Sequence, residues 1–390
     1  PVLAAISRRY RERENHISSD SWPIYISLQK DGILFKMRRT QDLPDKESAT
    51  MFFQDCKLAH QAQITGISHS VKEILPPDLL DLTQLQKEAN IRYGYTASEV
   101  YDIAQSLYEK KLISYPRTSS RYLTEDVFDS LSPIMTRLLS WELFPVAKGT
   151  GGIDISSLSR HVISAEKANV HHAIIITGIR PGNMSEKEMQ VYRLVAGRML
   201  EVFMAPCRIE TTNVEAVCAA QHFKAEQTRI IEAGWHDVFM HSDMIPTSGY
   251  SVKELPEVEK GDTLNVCGCN MVHKKQLPVD PFTDAELVEY MELNGLGTVS
   301  SRTNIIRTLV NRKYIRYSGK YIVPTPKGMF TYETIRGKKI ADTSLTADWE
   351  KQLTGLESGM ITGQDFLNRI RTLAKEMTDD IFNTYSTKEE

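Results

Sequence analysis

A tyrosine and an arginine separated by one proline form the segment of the chain with the clearest chemical potential. Residues 110–122 read KKLISYPRTSSRY, so that Tyr115, Pro116 and Arg117 follow one another. A proline keeps the residue before it out of the helical region, so we expect Tyr115 to be extended. Residues two apart share a face of an extended chain, which places the phenol beside the guanidinium. A phenol can attack a phosphodiester while an arginine binds the phosphate oxygens in a fork.

A pair of histidines is the second candidate group. Residues 170–176 read VHHAIII, and neighbouring side chains diverge, so we do not expect His171 and His172 to bind one metal. One histidine should face the core side and the other a cleft. A tyrosine is mostly protonated at neutral pH, and a histidine beside it could bind phosphate or donate a proton to a leaving oxygen. Taken singly, both segments are also typical of structural roles, as a helix end with a buried tyrosine and as a core histidine.

A glycine-rich turn between two helical patterns is the third candidate. The pattern of 283–293 is followed by NGLGTVSSR at 294–302 and by a basic helical pattern to residue 313. Hydroxyl side chains there would cap a helix N-terminus, where phosphates bind well. Residues 314–323 then predict a hairpin that turns at Ser318 and Gly319. This order resembles a winged-helix unit, with plain helix packing as the alternative.

Charge and composition limit the class of protein. The net charge is −3, yet residues 301–340 hold ten Lys/Arg against one acid, a local net of +9 that favours a polyanion partner. The 41% hydrophobic and 25% charged content excludes a disordered chain. Aliphatic runs such as residues 173–176 are far shorter than the roughly 20 residues of a membrane span. Five cysteines without metal-ligand spacing are typical of reduced thiols, so we expect a cytoplasmic protein.

The periodicity of the chain predicts a helical block inside a β domain. Residues 1–16 predict one basic helix, and 22–39 and 50–75 alternate as strands do, with a hairpin at Asp31-Gly32. Residues 79–111 and most of 122–205 predict helices. The β pattern returns over 206–270, and helices dominate from residue 283 onward.

Taken together, these segments resemble the type IA DNA topoisomerases, most closely the bacterial topoisomerase III branch. KLISYPRTSSRYL is similar to the active-site tyrosine motif, VHHAII to the histidine motif of the branch, and GLGTVSSRTNIIRTLVNRKYI to the glycine-rich and basic-helix motif. LQKEANIRYGYTASEVYDIAQSLYEKKLI and LTADWEKQL resemble further family blocks. The matching segments keep the family's order from about residue 1 to residue 360.

The resemblance implies a role for each matching residue. Tyr115 would form a 5′-phosphotyrosyl link to one cut DNA strand, Arg117 would hold the scissile phosphate, and His171 would contact the phosphate or protonate near it. The groove for single-stranded DNA would be lined by Ser300, Ser301, Arg302, Arg312 and Arg121. Nucleoid association in the cytoplasm follows as an expectation.

The implied fold is a multidomain α+β body, a torus with helical domains and a β-rich arch. The expected parts are the start of a winged-helix-like base domain at 1–20, a first part of the arch at 21–78, a helical domain with the tyrosine at 79–205, a second part of the arch at 206–280, and the base domain with its winged-helix-like unit at 281–390.

The family also has parts that these residues do not match. Its members begin with a Toprim domain, whose acidic residues bind Mg²⁺, and Pro1-Val2-Leu3 match a point after that domain. We therefore expect a body that lacks Toprim, holds no Mg²⁺ ligands itself, binds single-stranded DNA and does not cleave alone. Ser119 stands where the family usually has Asp, and Val299 and Ser300 stand where the branch usually has Glu and Ala.

Two other functions stay open at this point. A winged-helix DNA-binding protein without cleavage activity would prefer duplex DNA, with Tyr115 structural. A tyrosine recombinase is the weaker alternative, because its histidine and arginine elements precede the tyrosine and here His171 follows it.

Overall fold

A closed antiparallel barrel forms the β-rich part of the computed structural model, which describes residues 1–141, 143–144, 158–168, 171–239 and 249–386. Its strands run in the order β2-β3-β6-β5-β4-β7. On β2, Ile24, Ile26 and Leu28 are fully buried inside the barrel, which confirms the predicted alternation. The six strands are β2 (Ile24–Lys30), β3 (Ile33–Arg39), β4 (Gln61–Ile74), β5 (Cys207–Cys218), β6 (Gln221–Glu232) and β7 (Thr263–Met271).

A helical block separates the third and fourth barrel strands along the chain. Its largest core cluster includes Leu85, Val100, Leu107 and Ile174. Thr96 and Glu99 form a capping box at the start of α4, and Ser185 and Glu188 form another at the start of α8. The described helices are α3 (Leu82–Tyr93), α4 (Ala97–Glu109), α5 (Glu125–Asp129), α6 (Leu131–Ser140), α7 (Ala165–Ala168) and α8 (Glu186–Glu201).

The two ends of the chain fold together into one base. Leu3 and Ile6 of the first helix share a core cluster with Leu287, Ile306 and Ile322. A short sheet of β1 (Asp20–Ser21) and β8 (Lys274–Lys275) joins the base to the barrel. The base contains α1 (Val2–Glu14), α9 (Asp284–Leu293), α10 (Val299–Asn311), β9 (Ile315–Ser318), β10 (Tyr321–Pro324), α11 (Pro326–Ile335), α12 (Thr343–Glu357) and α13 (Gly363–Ser386).

The winged-helix order predicted for the base is present. The turn between α9 and α10 contains Gly295 and Gly297 with φ of +63° and +76°, a region that glycine adopts without strain. The β9–β10 hairpin follows α10 directly and turns after Ser318, as predicted. The residues from Thr283 to Pro324 therefore form helix, turn, helix and wing.

Two stretches differ from the predicted pattern. Residues 50–58, the start of the predicted strand pattern, belong to the helix α2 (Lys46–Leu58), which Asp45 caps by accepting a hydrogen bond from the Ser48 N–H at 2.7 Å. Its buried side chains, Ala49 and Cys56, are seven residues apart, which is a helical spacing. Residues 171–176, placed within a mostly helical stretch by the sequence, are extended and form isolated bridges with Leu80 and Ile113.

No helix in the described ranges is both long and apolar enough to cross a membrane.

Asp284 joins α9, α4 and the wing, and its burial predicts a specific pH dependence. It accepts hydrogen bonds from the Ala97 N–H at 3.2 Å and from the Tyr317 hydroxyl at 3.1 Å, yet burial raises its pKa to about 6. Because the folded state binds this proton more tightly than the unfolded state, the contribution of Asp284 to stability falls as pH rises from about 4 to about 6.

Replacing Asp284 with Asn should remove the loss of stability that Asp284 causes as pH rises. We expect D284N to be more stable than the parent at pH 7 by up to about 3 kcal/mol, with the difference vanishing near pH 4. Urea denaturation of both proteins across this pH range measures it. An identical pH dependence of the two free energies of unfolding would contradict the assignment.

Candidate active site and nucleic-acid interface

The tyrosine and histidine segments lie side by side. The Ser114 N–H donates to the Ile175 carbonyl at 2.8 Å, and the Ile175 N–H donates to the Ser114 hydroxyl at 3.0 Å. Farther along, the Thr118 hydroxyl donates to the carbonyl of His171 at 3.0 Å. These bonds align residues 113–118 with residues 171–176, although Val170 itself lies outside the described residues.

The ring of Tyr115 contacts His171 as a result. The two ring centroids are 4.5 Å apart, with planes tilted by 47°. Tyr108 of α4 meets the same phenol edge-on at 5.4 Å. Tyr115 is half-buried and His171 is exposed, so the pair lies at the protein surface, where a large ligand can reach it.

The extended conformation predicted around Pro116 is interrupted, because the backbone bends at Ser114 and at Pro116. Tyr115 and Arg117 are both half-buried, and both side chains contact α4. The structure thus brings Tyr115, Arg117 and His171 into one region.

Arg117 rests on α4 rather than on its own segment. Its guanidinium carbon lies 5.1 Å from the centroid of the Tyr101 ring, over the ring face. Its Nη2 donates to Gln105 Oε1 at 3.3 Å, while its Nε is buried with no hydrogen-bond partner among the described residues. One edge of the guanidinium is anchored, and further donors stay available to a phosphate.

Ser119, the departure from the family pattern, is exposed. The contacts that hold the histidine segment and Arg117 come from other side chains. Thr118 holds the histidine segment, and Tyr101 and Gln105 hold Arg117.

Arg121 and Arg302 are engaged in an ionic network between the helical block and the base. Arg121 Nε donates to Asp81 Oδ2 at 2.7 Å, and its Nη2 lies 3.9 Å from Glu292. Arg302, 8% exposed, donates through Nη1 to Glu292 at 3.2 Å and to Thr83 at 3.1 Å. Both guanidinium groups are thus paired with the carboxylates of Asp81 and Glu292, and their contact with DNA stays a prediction.

Burial within the network changes the pKa of Asp81. Asp81 is almost fully buried, and burial raises its pKa against the lowering effect of the Gln84 N–H and Arg121. The Asp81 carboxylate therefore depends on its ion pair with Arg121 to remain ionised.

Helix α10 is also tied to α4 by a forked ion pair. Arg307 Nη2 lies 2.9 and 2.8 Å from the two carboxylate oxygens of Asp102, and its Nε donates to the Ser98 hydroxyl at 2.8 Å. The helix that precedes the wing is therefore fixed to the same helix that carries Tyr101 and Gln105.

The predicted hydroxyl residues lie at the start of α10. The Ser301 hydroxyl accepts a hydrogen bond from the Thr298 N–H at 2.8 Å, so it serves as part of the cap. Ser300 is exposed, with its hydroxyl 3.1 Å from that of Thr298. Ser300 is the freer of the two to meet a phosphate at this helix end.

The unpaired part of the basic stretch lies at the end of α10, on the wing and at the start of α11. Arg302 and Arg307 are paired with Glu292 and Asp102, and the lysines at 338 and 339 pair with α13. Five exposed cations have no ion-pair partner among the described residues, namely Arg312, Lys313, Arg316, Lys320 and Lys327.

The described residues contain no ligand set for Mg²⁺. Across these ranges, no group of three or more His, Cys, Asp or Glu side chains is arranged to hold a metal ion. The Mg²⁺ that the resemblance assigns to a Toprim domain therefore does not fit the described residues.

Sequence reasoning missed the contribution of α4. Tyr101, Gln105 and Tyr108 are spaced by four and three residues, the spacing of one helix face. Tyr108 reads as part of the apolar stripe, yet it is 39% exposed and packs against Tyr115. A polar residue between two tyrosines at this spacing was the available signal.

Comparison with known proteins gives a consistent result over the chain. Residues 1–368 match the family model described as DNA topoisomerase. The chain is similar to DNA topoisomerase 3 of Bacillus licheniformis, with 29% identity over 406 residues, covering 98% of this chain and 55% of that protein. DNA topoisomerase 3 of Bacillus subtilis strain 168 is 30% identical over 419 residues, covering 99% and 56%. The chain spans about half the length of these curated relatives.

A solved structure shares the fold. Full-length topoisomerase I from Thermotoga maritima superposes with a TM-score of 0.74 and 22% identity, covering 96% of this chain and 61% of that chain. The mixed helical and barrel architecture is thus one that a solved topoisomerase also has.

Removing the carboxylate at the centre of the ionic network should destabilise the protein. In E292A, Arg302 loses its counter-charge in a buried position, and we expect the free energy of unfolding to fall by about 3 kcal/mol. E292Q, which keeps a hydrogen-bond acceptor, should lose less. Urea denaturation measures both.

Lys187 and Glu99 form an exposed ion pair that serves as the control. We expect K187A to cost less than about 1 kcal/mol. Equal losses in E292A and K187A would contradict a central role for Glu292.

Proposed function

The chain belongs to the type IA DNA topoisomerases of the topoisomerase III kind, and from this premise we propose that it cuts one DNA strand with Tyr115, passes a strand and rejoins the cut. The observation that carries the proposal is the contact of the Tyr115 and His171 rings at 4.5 Å, with Arg117 held on α4, the helix that Tyr115 also contacts. A nucleophile, an acid and a phosphate-binding cation are the groups that transesterification of a phosphodiester needs.

In the proposed cleavage step, Tyr115 Oη forms a bond to phosphorus and the bond from phosphorus to the 3′ oxygen breaks. The phenolic proton passes to water, and protonated His171 gives a proton to the departing 3′ oxygen. The 5′ phosphate stays on Tyr115. One phosphoester replaces another, so the reverse attack by the 3′ hydroxyl reseals the strand without ATP.

Arg117 supports this step through charge. Its free donors would bind the non-bridging oxygens, where negative charge grows in the transition state. The contacts with Tyr101 and Gln105 support a fixed position for the guanidinium before DNA binds. Such preorganisation lowers the cost of reorienting the side chain during the reaction.

Single-stranded DNA is the proposed substrate of the groove that leads to this site. Ser300 at the start of α10 and Arg312 at its end are exposed and suited to bind phosphates directly. Ser301, Arg302 and Arg121, which make internal contacts, would act mainly by holding the groove in shape.

We also propose that residues 1–390 do not cleave DNA alone and work with a Toprim domain that binds Mg²⁺. The chain spans about half the length of its curated relatives, and its described residues do not fit a metal site.

A duplex-binding role without cleavage is the second candidate. The cations left unpaired on the wing, among them Arg316 and Lys320, favour it, because wings commonly contact the DNA backbone. This alternative leaves the contact between Tyr115 and His171 without a chemical purpose.

Replacing Tyr115 with Phe tests the nucleophile. In the full-length protein with Mg²⁺, we expect the parent to form covalent adducts with single-stranded oligonucleotides and Y115F to form none, because only the attacking oxygen is lost. Denaturing gels with labelled DNA measure the adduct.

Tyr122 provides the matched control, since it lies in the same loop and its hydroxyl contacts Lys167 rather than the site. Y122F should keep the adduct. Adducts that persist in Y115F would overturn the assignment of the nucleophile.

A relaxation assay tests the need for the metal-binding domain. We expect residues 1–390 with Mg²⁺ to leave negatively supercoiled plasmid unchanged, while the full-length protein relaxes it. Relaxation by residues 1–390 alone would contradict this part of the proposal.

A further inference from the structure

Helix α4 supplies the surface on which the phosphate-binding arginine lies. We propose that Tyr101 and Gln105 are positioning residues that set the orientation of the Arg117 guanidinium for the scissile phosphate. The consequence for DNA cleavage rests on the proposed function, whereas the effect on the orientation of Arg117 does not.

The two contacts fix different features of the guanidinium. The face of the Tyr101 ring, 5.1 Å from the guanidinium carbon, attracts the cation and restricts where its plane can lie. The hydrogen bond from Nη2 to Gln105, at 3.3 Å, then selects one rotation of the group. Without them, the long arginine side chain would lose more rotamer freedom when it binds a phosphate.

Gln105 is itself oriented by a neighbour. Its amide nitrogen donates to Glu109 at 2.8 Å, which turns its oxygen toward Arg117. The Ser119 side chain, two residues after Arg117, is exposed and forms no hydrogen bond with other described residues. The orientation of Arg117 therefore depends on α4 rather than on the segment that follows it.

The helix that carries these residues is held at several points. Thr96 and Glu99 cap its start, and Asp102 pairs with Arg307 of α10. At its end, Ser106 donates to Glu188 of α8 at 2.7 Å, and Lys110 pairs with the same carboxylate. These bonds, that of Lys110 foremost, hold the pKa of Glu188 at about 2, so the carboxylate stays ionised throughout the neutral range. A helix fixed in this way can orient a side chain that lies on it.

Arginine side-chain NMR tests the orientation without any catalytic readout. In a ¹⁵N–¹Hε spectrum of this chain, Arg117 is identified as the signal missing from R117K. We expect it upfield of exposed arginines, because a proton over an aromatic face is shielded. Y101F keeps the ring and should keep the shift, while Y101L should move the signal to the exposed position.

Gln105→Met provides an independent variant if Y101L folds poorly. It keeps a side chain of similar length and removes the acceptor, so we expect the Arg117 signal to shift or broaden. An unchanged Arg117 signal in both Y101L and Q105M would overturn the proposal. So would a loss of the shift in Y101F as large as that in Y101L.

The effect on catalysis is measured as the rate of adduct formation by the full-length protein at saturating DNA. Y101L should slow adduct formation about tenfold, which lies between the scales of an exposed and a desolvated cation–π contact, and Y101F should match the parent. In an R117A background, Y101L should have no further effect. An equal further loss there would show a general structural role and overturn the proposal.

The two arms separate the possible failures. If the parent forms no adduct while the Arg117 signal responds as expected, the proposed function fails and the orientation by α4 stands. If adducts form but neither arm responds to Y101L and Q105M, the proposed function stands and the positioning role fails.

Discussion

The pairing of two non-helical segments, 113–118 and 171–176, is the constraint on which the site depends. Four backbone and hydroxyl hydrogen bonds, from Ser114 at one end to Thr118 at the other, align them. Because these bonds hold the two backbones side by side, the ring of Tyr115 contacts that of His171. Thr118 also accepts the Leu82 N–H at its carbonyl, which ties the pair to α3.

Helix α4 extends this constraint to the rest of the molecule. One face carries Tyr101, Gln105 and Tyr108 against the reacting segment, and another carries Ser98 and Asp102 against Arg307 of α10. The network of Asp81, Arg121, Glu292 and Arg302 fixes the same two regions nearby. The base that would bind DNA and the tyrosine that would cut it are therefore joined by a forked ion pair and by the network around the buried Asp81 and Arg302.

The sequence predicted local features well and tertiary partners poorly. The turn signals at Asp31-Gly32 and Ser318-Gly319 predicted both hairpins, because these depend on neighbouring residues. Arg302 and Arg121 were expected to line a DNA groove, since no pattern reveals that Asp81 and Glu292 lie beside them. The strand pattern predicted from residue 50 fails up to residue 58, because short apolar runs are ambiguous without the cap at Asp45.

Binding of fluorescent oligonucleotides to residues 1–390 over a salt series decides whether single-stranded DNA binds next to Tyr115 and Arg117. We expect tighter binding to single strands than to duplex, an affinity that declines with salt, and a larger loss of affinity in R117A than in K320A. Duplex preference that R117A leaves unchanged and K320A weakens would contradict this expectation, and would indicate a protein that binds DNA through its wing alone.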